Sequence, residues 1–239
     1  MTTVVAQLPP RRIVYPDTDG MPMAENTLQF EWIVTIKGGL DYLFCSNPDV
    51  FVAGDLFWYP VEGHPEIRVA PDALVVFGRP KGHRLSYMQW EEGGIPPQVV
   101  FEVLSPGNRL GEMIRKFEFY RRYGVEEYYI YDPDPRRLDS WGFVRQGDDL
   151  IEIATMNGHV SPRLKVRFEL NDEGLRLIRP DGQRFLTFDE TAQREEQSRH
   201  LAEEEHRRAE EERERANHAL AEVEQLRQRL RALGHDPGL

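Results

Sequence analysis

The chain has 239 residues, 40% apolar and 10% aromatic, and a formal net charge of −11 from 30 Lys and Arg against 41 Asp and Glu. These figures place it among globular proteins, with length for one sizeable domain and an appendage, and the acidic balance weighs against tight non-specific binding to nucleic acid. A single cysteine, Cys45, excludes an internal disulfide and suggests a reducing compartment.

The N-terminus lacks the basic start and apolar run of a signal peptide, and no stretch reaches the roughly 20 apolar residues of a membrane span, so a cytoplasmic protein is expected. Residues 1–24 are proline-rich and aperiodic, and read as an extended arm. Leu28, Trp32, Ile36, Leu40 and Leu43 then recur at helical spacing over 25–45, although Gly38-Gly39 weakens that helix. Strand-like runs follow at 50–60, 66–77 and 98–104, with a Gly/Pro/charged loop over 78–97 between the second and third. "SPGN" supplies a turn and caps for a helix over 109–123, which Gly124 ends, and "VEEYYIYDP" is a fourth strand. The order predicts a mixed α/β core with a crossover helix. Short strands separated by "QGDD", "NDEG" and "PDGQ" then predict a β-meander that closes a domain over 25–189.

Residues 190–239 change abruptly to Glu, Arg and Ala, which predicts one long helix. A heptad places Ala202, Ala209, Ala216, Val223 and Leu230 at a, with Ala219, Leu226 and Leu233 at d. Glu205 and Glu212 occupy the earlier d positions, so only the last heptads form a coiled-coil seam. A solvated helix held by i,i+4 Glu/Arg pairs is the alternative.

The chemistry centres on "QVVFEVL". Val100, Glu102 and Leu104 share one strand face, and Val99, Phe101 and Val103 the other, so Glu102 alone interrupts a strand that is apolar on both sides. A carboxylate there must be paired, protonated or metal-bound. Asp72 in "APDALVVF" repeats the theme. On the following helix, at about 100° per residue, Lys116 falls within the apolar arc between Phe119 and Phe117 and can reach Glu102. Two strand acids and a lysine are the constellation of metal-assisted phosphodiester hydrolysis: acids hold Mg²⁺ or Mn²⁺, and the ammonium stabilises developing charge. The alternatives are a structural Glu102–Lys116 pair, or Lys116 paired with Glu112 at i−4. Arg79, Lys81, Arg84, Arg109, Arg115, Arg121 and Arg122 flank these segments and could supply a local basic groove. The histidines show no metal-ligand spacing.

"APDALVVF", "VFEVLSPGNR", Lys116 with Tyr120, and "GVEEYYIYDP" together resemble the Uma2 family, bacterial proteins classed with the endonucleases of the PD-(D/E)XK superfamily. The resemblance covers roughly residues 25–170. It implies a restriction-endonuclease-like fold, metal ligands at Asp72 and Glu102 beside the backbone carbonyl of Val103, and a catalytic lysine that has moved from the usual position, here Leu104, to Lys116. Where the family commonly carries an aspartate four residues before that lysine this chain has Glu112, given a supporting role, and the first-helix acid maps to Glu25. The expected function is thus Mg²⁺- or Mn²⁺-dependent cleavage of DNA, by a homodimer joined through the C-terminal helix. An inactive nuclease fold acting as an interaction module is the alternative. A glycosidase-like use of Asp72 and Glu102 as acid and base ranks last, because Lys116 would keep both ionised.

Overall fold

The computed structural model describes residues 13–18, 20, 24–172 and 174–232. Its elements are α1 (Thr27–Leu43), β1 (Val50–Ala53), β2 (Trp58–Tyr59), β3 (Ala73–Phe77), β4 (Tyr87–Met88), β5 (Val99–Val103), α2 (Leu110–Arg122), β6 (Glu127–Asp132), β7 (Asp139–Gln146), β8 (Asp149–Glu152), β9 (Arg167–Asn171), β10 (Gly174–Ile178) and α3 (Phe188–Ala232). The main sheet runs β1-β3-β5-β6-β7-β8. Every neighbouring pair in it is antiparallel except β5 and β6. Parallel neighbours need a crossover, and α2 is that crossover.

Strand parity sorts the core into two layers. Val75, Val99, Phe101, Val103, Tyr129 and Tyr131 pack under α1 and the β9–β10 hairpin. Leu74, Val76, Val100 and Tyr128 face Tyr120 of α2 and Trp58 and Tyr87 of the parallel β2–β4 pair. The apolar run at 50–60 is broken rather than continuous, because Asp55 sits in the left-handed region at φ 47° and separates β1 from β2. The loop expected over 78–97 contributes β4. Gly38-Gly39 does not interrupt α1: a Cβ on Gly39 would lie 2.1 Å from the Phe185 ring, so the glycine gives that ring its place. The "SPGN" caps differ from expectation. The N-cap of α2 is Arg109, without a side-chain cap, and Asn108 Oδ1 instead accepts from Ser105 N, closing the turn on itself.

Most of the expected 1–24 arm lies outside the described residues. Its described part docks through Tyr15, whose ring meets Tyr59 edge-on at 5.3 Å and whose hydroxyl accepts from Gly63 N. The chain divides between Thr187 and Phe188 into two compact units. The second contains α3, 45 residues with none buried and with i,i+4 pairs such as Arg208–Glu204 and Arg215–Glu211. Leu233, the last expected d position, lies outside the described residues. Among those residues no helix is long and apolar enough to cross a membrane.

Candidate active site

Glu102 enters the layer beneath α2 because its neighbours Val100 and Leu104 share its strand face, and it is only 3% exposed. Each of its oxygens has a donor. Lys116 Nζ lies 2.7 Å from Oε2, and the Tyr120 hydroxyl donates to Oε1 at 2.5 Å. Lys116 and Tyr120 are one helical turn apart, so α2 presents both to the same carboxylate. Lys116 therefore answers Glu102 rather than Glu112. Burial alone would pull the Lys116 ammonium down, but Glu102 and Asp72 outweigh it and hold the lysine above its ordinary value. Burial and the neighbouring Glu102 charge keep the Tyr120 hydroxyl protonated.

Asp72, immediately before β3, reaches across to β5, where its Oδ2 accepts from Val103 N at 2.6 Å. Burial, then the charge of Glu102, pushes its carboxyl well above the usual range, with Lys116 opposing them. Asp72, Glu102, Val103, Glu112 and Lys116 line one cavity of about 250 Å³, together with Gln29 and Asp55. Of the sequence-predicted residues, Asp72, Glu102, Val103, Glu112 and Lys116 meet there and Glu25 does not; Glu112 contributes charge to Lys116 without a hydrogen bond or ion pair to it.

Two residues, Gln29 and Tyr128, escaped sequence reasoning, and Glu25 acts elsewhere than expected. Gln29 is buried in α1 and its amide donates to the Val103 carbonyl at 2.9 Å. Glu25 does not reach the cavity: its carboxylate accepts from Ser105 Oγ at 2.5 Å and Gly107 N at 3.0 Å, gripping the loop after β5. A Cβ on Gly107 would strike that carboxylate, so a larger residue there would displace Glu25 from the loop. Tyr128 is fully buried with a hydroxyl that finds no hydrogen-bond partner among the described residues, in the field of Glu102, Asp72 and Glu112. Tyr120 was legible as part of a motif, whereas the contacts of Gln29 and Glu25 span 74 to 82 residues and leave no local pattern.

Among the described residues no three Asp, Glu, His or Cys side chains converge closely enough to hold a metal ion by themselves. The donor set still suits a hard divalent cation. Two carboxylates whose charges oppose each other would be relieved by one, and the Val103 carbonyl, with one lone pair engaged by Gln29, has a second to offer. Of the flanking basic residues, Arg79 and Arg84 are bound to Glu92, and Lys81 donates to the Phe44 carbonyl, so they form no groove at the cavity.

A solved structure similar to this chain is that of a putative nuclease belonging to DUF820 from Anabaena variabilis ATCC 29413, at 12% identity and TM-score 0.41, over 63% of this chain and 75% of that one. None of the curated proteins matches. The Uma2 family model, described as putative restriction endonuclease, matches residues 40–171. That span is more than half the chain and contains Asp72, Glu102, Glu112, Lys116 and Tyr120, while Glu25 and Gln29 fall before it. On this match the chain belongs to the Uma2 family.

Proposed function

We propose that the protein is an endonuclease that hydrolyses DNA phosphodiester bonds with Mg²⁺ or Mn²⁺. The observation that carries this reading is Lys116 Nζ at 2.7 Å from Glu102, on the wall of a cavity shared with Asp72. Asp72, Glu102 and the Val103 carbonyl would hold a divalent cation, which when bound would supply Lewis-acid polarisation of the phosphoryl oxygen and a more acidic water. Tyr120 fixes Glu102 from behind, and Gln29 orients the Val103 carbonyl. As the water oxygen bonds to phosphorus and the bond to the leaving oxygen breaks, the Lys116 ammonium faces the growing charge on the phosphoryl oxygens. Glu112 lines the same cavity and supports the charge of Lys116.

The test is a calorimetric titration of Mn²⁺ into the wild type and Glu102→Gln, with and without DNA, beside a plasmid-cleavage assay. Binding and cleavage present in the wild type and lost in the variant support the reading. An intact plasmid under both metals, with no metal binding even in the presence of DNA, defeats it.

The exposed α3 supports a second role as an association element. Ala216, Ala219, Val223, Leu226 and Leu230 keep heptad spacing, and all are exposed in the single chain. A homodimer paired along this seam would bring two sites to the two strands of a duplex. Light scattering should then report a dimer that Leu226→Asp dissociates, and a monomer at high concentration would refute it.

A further inference from the structure

Beside the catalytic cavity lies a larger one, an open groove of about 590 Å³ along the outer surface of α2. Glu112 and Lys116 line both, so the groove begins where the cavity ends. Its charge is unlike that of the chain as a whole. Arg68 stands on one wall beside Glu66, and Arg115, Lys116, Arg121 and Arg122 stand on the α2 side with Glu112 and Glu118, so that cationic residues outnumber acidic ones in the lining. Arg121 is engaged by Glu118 and Asp149. Arg115 and Arg122 are exposed, and among the described residues neither has an ion-pair partner. They are seven residues apart on one helix face, about 10 Å along the axis.

Between the two arginines the groove is aromatic. Phe119 and Tyr123 are half-buried and lie against each other at 4.7 Å, and the Phe119 ring is pinned edge-on to the buried Trp58 at 5.2 Å. Arg122 sits over the Tyr123 ring, 5.4 Å from its centroid. Rings held rigidly by a core aromatic, alternating with unpaired guanidinium groups, are what an unpaired nucleic-acid strand requires: arginines for phosphates and flat faces for bases. A duplex offers phosphates to the arginines but keeps its base faces stacked within itself, so the aromatic floor would go unused.

We infer that this groove binds an unpaired strand of the nucleic acid, leading it to or from the scissile phosphate at Lys116. The identity of the ligand as nucleic acid rests on the proposed nuclease function; the groove adds the strandedness and the path.

The test uses a fluorescein-labelled oligodeoxynucleotide, single-stranded or annealed to its complement, whose anisotropy is read in EDTA with the full chain. The wild type should bind the single strand more tightly than the duplex. Arg115→Ala/Arg122→Ala should weaken that binding about tenfold or more, and two lost phosphate contacts should flatten the slope of log affinity against log salt by about 1.4. A control pair, Arg208→Ala/Arg215→Ala on α3, removes the same charge elsewhere and should leave affinity and slope as in the wild type. Tighter binding of duplex than of single strand overturns the inference, as does an equal loss in the control pair. Plasmid cleavage separates the two proposals. If the wild type cleaves and the groove variant both binds and cleaves like it, the groove assignment fails and the nuclease reading stands. If the wild type cleaves nothing yet loses single-strand binding in the groove variant, the groove stands and the nuclease reading falls.

Discussion

Glu102 is surrounded by groups of unequal standing, and two tyrosines show the difference. Tyr120 donates to the carboxylate and Tyr128, equally buried, donates to nothing. Removing the first hydroxyl breaks a hydrogen bond to a charged acceptor, so Tyr120→Phe should cost about 2 kcal/mol, whereas Tyr128→Phe removes an orphaned polar atom and should be neutral or slightly stabilising. Urea denaturation of the two variants tests this directly, and equal losses would contradict it. Asp72 gives a pH signature. Its carboxyl titrates well above its ordinary value of 3.8, chiefly because it is buried and secondly because Glu102 repels its charge. The folded chain then holds a proton that the unfolded chain has released. This acid's contribution is accordingly most favourable below its unfolded value, and stability falls as pH rises through its folded one. In EDTA, Asp72→Asn should abolish that fall, its amide oxygen still accepting from Val103 N. Parallel stability profiles for wild type and variant would refute the assignment.

Among the elements, β6 carries a second buried acid that plays no part in the cavity. Glu127 is 1% exposed and accepts from Tyr129 and Ser161 hydroxyls and from Arg163 N, tying β6 to the turn before β9. Burial raises its carboxyl, with those donors opposing. Gln can direct its oxygen at Arg163 N and its amide at the two hydroxyls, so Glu127→Gln should stay within about 1 kcal/mol of wild type, while Glu127→Ala, which takes the acceptor from the buried Ser161 hydroxyl and from Arg163 N and leaves Tyr129 only His159, should cost about 2 kcal/mol. Thermal and urea denaturation read both, and a tolerated alanine would show the tie to be dispensable. In sequence Glu127 was one acid in "VEEYYIYDP", indistinguishable from Glu126, because two of its three partners, Ser161 and Arg163, arrive from 34 to 36 residues away. Glu102 and Lys116 were legible because strand parity and helix angle are local, and only 14 residues separate them. The sheet, the crossover and the long helix were legible for the same reason. The break at Asp55 was not, since apolar residues stand on both sides of it, and neither was the strand hidden in the 78–97 loop, whose Tyr87 and Met88 pair with β2 far back in the chain.

Across the whole molecule, the negative net charge and a nucleic-acid site are compatible because charge is unevenly distributed. Arg115 and Arg122 on α2 have no ion-pair partner among the described residues, while Arg79 and Arg84 are neutralised by Glu92. The contacts around the cavity are equally uneven in their span along the chain. Lys116 and Tyr120 meet Glu102 across 14 and 18 residues, whereas Gln29 reaches Val103 across 74 and Glu25 reaches Ser105 across 80. Long-range contacts close at a somewhat higher entropic cost than short-range ones, and on that ground α1 is expected to open before β5, α2 and β6. Amide hydrogen exchange should therefore find α1 protected less than β5, with Gln29→Leu accelerating exchange in α1 while leaving the rates of β5 and β6 in place. Uniform acceleration of all three would mean that they open together. With α1 displaced, the acids and lysine would remain assembled while the Val103 carbonyl lost its anchor, so under the proposed chemistry the grip of one N-terminal helix would modulate turnover without altering Lys116 or either acid.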